Sequence, residues 1–217
     1  MSDLENALKL LLEAVNAAQT DAAPAAAPAG IGVGISNRHI HLSQEDLSLL
    51  FGEGYALTPI KELSQPGQFA CKEVVTICGP KGAIEKLRVL GPVRSKTQIE
   101  ILAGDSFKLG VRAPARMSGD LQGTPGITII GPNGSVQTKE GLIVAQRHIH
   151  MHPTDAERYG VRDGELVSIE LDGVRGGVFH NVAIRATVES ALELHLDTEE
   201  ANAMSITPSS TVEITKQ

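Results

Sequence analysis

Four of the seven histidines stand in two identical Arg-His-Ile-His tetrapeptides, at positions 38–41 and 147–150. Residues i and i+2 of a strand point to the same face, so His39 and His41 can share one metal ion, as can His148 and His150. The isoleucine between each pair then points into apolar packing. Two copies of this spacing favour metal ligation. The alternative is a pair of structural histidines inherited by duplication.

Two further polar residues lie on strand patterns and would complete these ligand sets. In ALELHLD, 191–197, three leucines occupy one face of a strand and leave His195 on the polar face. In QIEIL, 98–102, Glu100 points opposite to two isoleucines. For both residues the alternative is an ordinary solvent-facing position. Imidazole and carboxylate ligands without an obligatory thiolate favour zinc, while iron, manganese, cobalt and nickel remain open.

Basic residues between the two histidine pairs are candidates for holding an anion. Arg94 follows a Gly-Pro turn in LGPVRSKTQIE, and its planar guanidinium suits phosphate oxygens. Arg112 and Arg116 are the alternatives for this role. Lys81 and Arg88 lie in the preceding hairpin, GPKGAIEKLRVLGP, which either binds the phosphates of a larger ligand or is simply solvated. The hairpin lacks the glycine frame of a phosphate-binding P-loop.

The elements that position these residues are predicted to be short strands. ISNRHIHLSQEDL, 35–47, resembles VAQRHIHMHPTDA, 144–156, which indicates two related subdomains rather than a solenoid. Most remaining segments alternate as strands between Gly-Pro, Pro-Asn-Gly or Asp-Gly turns, with short helices expected near 43–51, 153–159 and 198–204. We therefore predict a mainly β protein built from two related β-barrel subdomains with short capping helices.

The N-terminal segment has a different character. Residues 2–18 carry an apolar stripe at helical spacing, formed by Leu4, Leu8, Leu11, Leu12 and Val15. The low-complexity Ala/Pro stretch at 21–30 follows and predicts an extended linker. We expect an amphipathic helix at 1–20 that docks on a partner protein. The alternative is a helix that folds back on the core.

Charge and composition exclude several classes of protein. The net charge of the 217 residues is −7, which argues against a general nucleic-acid binder, although residues 61–116 carry ten basic and five acidic side chains. The sequence contains neither an apolar run long enough to span a bilayer nor a secretory signal. Cys71 and Cys78 are expected to be free thiols of a cytoplasmic protein.

The body of the chain resembles the PduL family of phosphotransacylases, also called phosphate propanoyltransferases, from residue 31 onward. The resemblance rests on these segments, in order: GISNRHIHLS, PGQFAC, RVLGPVRSKTQIEI, SGDLQGTPG, GLIVAQRHIHM and LELHLDTEEANA. It implies two β-barrel subdomains with a two-metal site between them. It also implies reversible transfer of a short acyl group, acetyl or propanoyl, from coenzyme A to phosphate.

The resemblance assigns roles to residues of this chain. His39, His41 and Glu100 would bind one zinc ion with an open position for the CoA sulfur, and His148, His150 and His195 would bind the second. Arg94 would hold phosphate. The resemblance also implies six contacts with coenzyme A: Ile35, Ser36, Asn37, Lys81, Arg88 and Asn202.

The resemblance also bears on organisation and partners. Some members of the family carry an N-terminal helix that directs them into bacterial microcompartments, so residues 1–20 are expected to bind shell or core proteins there, and a homo-oligomer is expected. The expected domains are the helix at 1–20, the linker at 21–30, and barrel subdomains at 31–140 and 141–217, with strand exchange between the barrels left open.

Three alternative functions remain at this point. They are a cupin-like metalloenzyme, a metal-dependent hydrolase, and a non-catalytic scaffold stabilised by metals. A mechanism with Cys71 or Cys78 as nucleophile also competes, although neither has an adjacent histidine in the sequence.

Overall fold

A computed structural model describes residues 30–215 of the chain. The predicted helix at 1–20 and all but the last residue of the linker at 21–30 lie outside the described residues. Within 30–215 the protein is mainly β with a few short helices, as predicted. No helix in this part of the chain has the length and apolar character needed to cross a membrane.

Fifteen strands and four helices make up the described residues. The strands are β1 (Ile31–Ser36), β2 (His39–His41), β3 (Pro59–Glu62), β4 (Phe69–Gly79), β5 (Gly82–Gly91), β6 (Gln98–Ile101), β7 (Ala115–Arg116), β8 (Thr128–Ile130), β9 (Ser135–Gln137), β10 (Leu142–Ala145), β11 (His148–Met151), β12 (Leu166–Leu171), β13 (Gly177–Ala186), β14 (Glu193–Asp197) and β15 (Thr211–Thr215). The helices are α1 (Gln44–Phe51), α2 (Asp105–Leu109), α3 (Pro153–Tyr159) and α4 (Thr198–Ala203).

The strands form two sheets. Six strands close a barrel in the order β1-β14-β11-β13-β12-β15, and β15 pairs back onto β1. The other nine form a curled half-barrel in the order β7-β10-β6-β2-β5-β4-β8-β9, with β3 paired to β4. Each sheet has its own cluster of buried aliphatic side chains. Residues 30–215 therefore form two cores, and both consist mainly of aliphatic side chains, as expected of a chain with few aromatic residues.

Each sheet takes one strand from the other half of the chain. β1 belongs to the closed barrel, where it runs parallel to β14. β10 belongs to the half-barrel, where it lies between β6 and β7. The division into domains at 31–140 and 141–217 stays a prediction. That division would group β1 with the half-barrel and β10 with the closed barrel, whereas each lies in the other sheet.

The helices that follow the histidine strands begin at capping residues. The Ser43 hydroxyl accepts a hydrogen bond from the backbone N–H of Asp46 at the start of α1, and the His152 ring accepts one from Thr154 N–H at the start of α3. The three helices expected from the sequence are present. The helix α2 was not predicted, because its five residues are too few to show an apolar period.

Candidate functional site

Strand register brings together the residues of each candidate metal site. β2 and β6 are antiparallel neighbours, and His39 lies directly opposite Glu100. β11 and β14 are related in the same way, with His148 opposite His195. Ile40 and Ile149 are fully buried in the two cores, so the histidines on either side of them share the opposite face. The sequence repeat is thus also a structural repeat.

The first set comprises His39, His41 and Glu100, and one ligand atom from each lies within 4.8 Å of the others. His39 donates from Nδ1 to the carbonyl oxygen of Asn37 at 2.8 Å, because a carbonyl can only accept. In the neutral ring this leaves the lone pair on Nε2, which lies 3.3 Å from Oε2 of Glu100. Two acceptors facing each other at this distance need a proton or a metal ion between them.

The second set comprises His148, His150 and His195, which again place one nitrogen each within 4.8 Å of one another. Nδ1 of His148 donates to the carbonyl of Gln146 at 2.7 Å. Both His39 and His148 therefore donate to the carbonyl two residues before them in the chain. The Nε2 atoms of His148 and His150 are 3.0 Å apart, a spacing that two ligands about 2.0–2.1 Å from one zinc ion permit. Nε2 of His195 lies 2.6 Å from the carboxylate of Glu193.

The electrostatics of both sets suit a divalent cation. Burial lowers the pKa of His41 to about 3, that of His148 to about 4 and that of His150 to about 3, so these rings are neutral and keep lone pairs for a metal. Burial raises the pKa of Glu100, but His39 and Arg94 outweigh it and hold the pKa below its ordinary value. A three-histidine set and a mixed histidine–carboxylate set are both donor sets that zinc accepts.

Both sets face one cavity of about 350 Å³, which lies between the barrel and the half-barrel. Arg94 lines it and donates from Nη1 to Oγ of Ser118 at 2.9 Å. Gln98 donates to the same hydroxyl at 2.8 Å and to Glu100 at 2.6 Å. Because the Ser118 oxygen accepts two hydrogen bonds, its own hydrogen is left to donate to a group in the cavity.

A second cation lines this cavity and was missed from the sequence. Arg185 lies on β13, opposite His150, and among residues 30–215 it has no acidic partner. Burial lowers the pKa of Arg94, and the positive charge of Arg185 lowers it further. Two guanidinium groups that repel each other across a cavity favour an anion between them. Ser118 was also missed, although it stands in the SGDLQGTPG segment that carried the resemblance.

The six residues expected to contact coenzyme A fall into two groups. Ile35, Ser36, Asn37 and Arg88 line the cavity, on the side where β1 leads into β2. Arg88 is held there by hydrogen bonds to the carbonyls of Cys71 and Lys72, both at 2.9 Å. Lys81 is exposed at the β4–β5 turn, and Asn202 is exposed on α4. Neither of these two is among the lining residues.

A loop from the half-barrel closes one wall of the cavity. The Gln65 side chain donates to the carbonyl of Ala191 at 3.1 Å and accepts from its N–H at 3.2 Å. The amide group thus pairs with both backbone polar groups of Ala191. The neighbouring Ser64 donates to Glu193, the residue that contacts His195. Gly34 leaves room for the Glu193 carboxylate, which a Cβ there would meet at 2.8 Å. The loop thereby joins the half-barrel to the second histidine set.

Comparison with known proteins places the chain in a family. The PTAC profile, phosphate propanoyltransferase, matches residues 32–207. A phosphate propanoyltransferase of Thermotoga maritima is 63% identical over 175 residues, which is 80% of this chain and 83% of the relative. One of Rhodobacter capsulatus is 53% identical over 208 residues, covering 96% and 94%, and one of Salmonella typhimurium is 50% identical over 174 residues, covering 80% and 82%. The chain belongs to the phosphate propanoyltransferase family and is an acyltransferase.

Proposed function

We propose that this chain interconverts a short-chain acyl-CoA plus phosphate with the acyl phosphate plus coenzyme A, in a site that holds two zinc ions. The observation that carries the proposal is the pair of three-ligand sets facing one cavity that also contains Arg94 and Arg185. Family membership sets aside the hypotheses of a cupin-like enzyme, a hydrolase and a scaffold.

The two ions would be held by the residues that strand register brings together. His39, His41 and Glu100 would hold one, and the three histidines of the barrel would hold the other. Other divalent metals, which the sequence analysis left open, also fit these sites, because none of the ligands discriminates strongly among them. When bound, such ions act as Lewis acids that stabilise a developing oxyanion and a departing thiolate.

The side chains of this chain bind and orient phosphate. Phosphate is already a nucleophile, so the site must position it and offset its charge rather than deprotonate it. Arg94, fixed by its hydrogen bond to Ser118, presents its remaining donors to one side of the cavity, and Arg185 adds a second positive charge from the barrel. The free Ser118 hydrogen supplies a neutral donor beside them.

Coenzyme A enters from the side where Ile35, Ser36, Asn37 and Arg88 line the cavity. A phosphate oxygen attacks the thioester carbonyl carbon and forms a C–O bond. The C–S bond then breaks, and coenzyme A leaves as a thiolate with the electron pair of that bond. No acyl group needs to pass through the protein. Cys71 is buried, which raises the pKa of its thiol to about 11, and it lies outside the cavity lining.

The test is release of free coenzyme A from propanoyl-CoA, followed with a thiol reagent with and without phosphate. We expect release that depends on phosphate and yields one acyl phosphate per thiol. Elemental analysis of protein purified without chelator should find about two metal ions per chain. Release without phosphate would indicate hydrolysis. Full activity in protein stripped of metal would overturn the two-zinc site.

The length of the acyl chain that the enzyme prefers can be tested separately. Acetyl and propanoyl chains differ by one methylene, which is worth only about 1–3 kcal/mol of discrimination in an apolar pocket. Competition between acetyl-CoA and propanoyl-CoA in one reaction measures that difference directly. A preference for propanoyl of tenfold or more in kcat/KM would support the substrate named for the relatives. A preference for acetyl would assign the other chain length.

We also propose that residues 1–20 deliver the enzyme to the lumen of a bacterial microcompartment by binding shell or core proteins, and that the body forms a homo-oligomer. The Rhodobacter match covers 96% of the chain and therefore extends into residues 1–30. Deletion of 1–20 should preserve specific activity, and fusion of 1–20 to a fluorescent protein should recruit it to compartments. An inactive or unfolded truncation would place this segment in the core instead. Light scattering of the truncated protein measures the oligomer.

A further inference from the structure

Arg38, the arginine of the first tetrapeptide, lines the cavity and makes an ion pair next to the first metal-ligand set. Its Nε lies 2.5 Å from Oδ2 of Asp105 on α2, and the same oxygen accepts the backbone N–H of Leu102 at 3.0 Å. Asp105 is almost fully buried. It stands five positions after Glu100, just beyond the end of β6. The pair therefore joins the start of β2 to the end of β6.

Arg147, the arginine of the second tetrapeptide, makes the corresponding pair behind the second set. Its Nε lies 2.8 Å from Oε1 of Glu200 on α4, and its guanidinium packs over the Phe179 ring at 4.5 Å. Glu200 stands five positions after His195, just beyond the end of β14. In both halves an arginine one residue before a ligand binds an acid five residues after the ligand on the facing strand. We call these the two arginine clamps, Arg38–Asp105 and Arg147–Glu200.

The clamps act where strand pairing is weakest. β2 has only three residues and β11 only four, so few backbone hydrogen bonds fix their register. A slip of one residue would turn both histidines of a pair away from the cavity and put an isoleucine in their place. A charge-assisted hydrogen bond next to the first histidine opposes that slip, because it ties the arginine to a fixed point beyond the facing strand.

We propose that Arg38 and Arg147 are positioning residues, each of which holds its own histidine pair in register with the third ligand across the strand. The inference rests on the proposed function, since it assumes that both sets bind metal. Neither arginine needs to touch substrate for this role. Residues that orient metal ligands without binding the metal typically change metal affinity about 10–100-fold when they are removed.

The two clamps differ in the surroundings of the acidic residue that each arginine binds. Oε2 of Glu200 is buried without a hydrogen-bond partner among the described residues, and burial raises the pKa of this carboxyl while Arg147 opposes the rise. Removal of Arg147 alone would leave that carboxylate uncompensated. The double variant Arg147→Gln with Glu200→Gln removes both charges and separates a loss of positioning from a loss of folding.

The test measures metal affinity at each site separately. Metal-free protein is titrated with zinc or cobalt in two backgrounds, His148→Ala to leave the first site and His39→Ala to leave the second. We expect Arg38→Gln to weaken binding about 10–100-fold in the first background and to have little effect in the second. Arg147→Gln should show the reverse pattern. Arg175→Gln, in the exposed turn between β12 and β13, is the matched control and should change neither affinity.

Two further measurements separate positioning from general stability. Arg38→Lys keeps the charge and should recover part of the lost affinity, and the double variant at Arg147 and Glu200 should fold yet keep the loss at the second site. The visible spectrum of bound cobalt should change only at the affected site. Equal losses at both sites, or unchanged affinity in a folded variant, would overturn the inference. A wild-type chain that binds no metal would instead overturn the proposed function.

Discussion

Replacement of Arg94 by lysine tests the phosphate site most directly. The guanidinium spends one donor on Ser118, at 2.9 Å, and its other donors remain for phosphate. Lysine keeps the charge but lacks the planar fork, so it cannot hold Ser118 and two phosphate oxygens in one geometry. Loss of one charge-assisted hydrogen bond is worth about 1.5–3 kcal/mol. We therefore expect kcat/KM for phosphate to fall about 10–150-fold.

Arg94→Ala removes the charge and both contacts, so the loss should reach about 3–6 kcal/mol, or roughly 10²–10⁴ in kcat/KM. The assay varies phosphate at saturating propanoyl-CoA and follows thiol release. In the reverse direction, KM for coenzyme A should change less than threefold, since Arg88 and the residues of β1 line that side of the cavity. Arg112→Ala, at an exposed position outside the cavity lining, is the control.

Near-normal kinetics with phosphate in Arg94→Lys would refute the assignment of Arg94 to the phosphate site. The anion would then depend on another cation. Arg185 is the candidate by position, because Arg112 and Arg116, which the sequence left open, are not among the residues that line the cavity. A fall in metal content in Arg94→Lys would also contradict the assignment, because lysine keeps the positive charge near Glu100 and the hydrogen bond that is lost is the one to Ser118.

Three other predictions concern Arg185, Glu73 and Gly126. Arg185→Gln should raise KM for phosphate tenfold or more in steady-state assays while leaving metal content at the wild-type value, and an unchanged KM would remove Arg185 from the anion site. Burial raises the pKa of Glu73, but hydrogen bonds from Thr58 and Tyr55 outweigh it and lower the pKa below its ordinary value. The ionised carboxylate therefore stabilises the fold above about pH 4.3, and this contribution is lost as pH falls further. In urea unfolding, Glu73→Gln should lower the free energy of unfolding by about 1 kcal/mol at pH 7 and by less at pH 3. An equal difference at both pH values would contradict this. Gly126→Ala should cost about 1–3 kcal/mol because its Cβ would meet the Thr138 carbonyl at 1.9 Å, whereas Gly32→Ala, with nothing within 4 Å, should be nearly neutral in the same measurement.

The sequence predicted those parts of the fold that depend on local patterns. Alternation in the segments around Glu100 and His195 identified strands and the polar face of each, and the repeated tetrapeptide indicated two related subdomains. Pairing between distant strands could not be predicted in this way. The parallel pairing of β1 with β14 joins residues that are about 160 positions apart, and no periodicity encodes such a partner.

The same distinction between local patterns and distant contacts applies to the residues of the candidate site. Residues with a distinctive type and spacing, such as the two histidine pairs, could be named from the sequence, and the structure brings each pair to its proposed third ligand. Arg185 and Ser118 could not be named, because an arginine or serine on a strand gives no signal of which cavity it faces. Lys81 and Asn202 show the converse, since the resemblance assigned them to coenzyme A but their side chains lie outside the cavity lining.

The place of β1 in the closed barrel has a consequence for how the chain is made. β1 is synthesised long before its neighbours β14 and β15, which follow it by about 160–180 positions in the chain. Until those strands are made, its backbone donors and acceptors have no native partner in the nascent chain. The barrel can therefore close only after residues 193–215 have been synthesised, and the long loop that this closure requires predicts slow folding. During translation the exposed edges of β1 would be a binding site for chaperones.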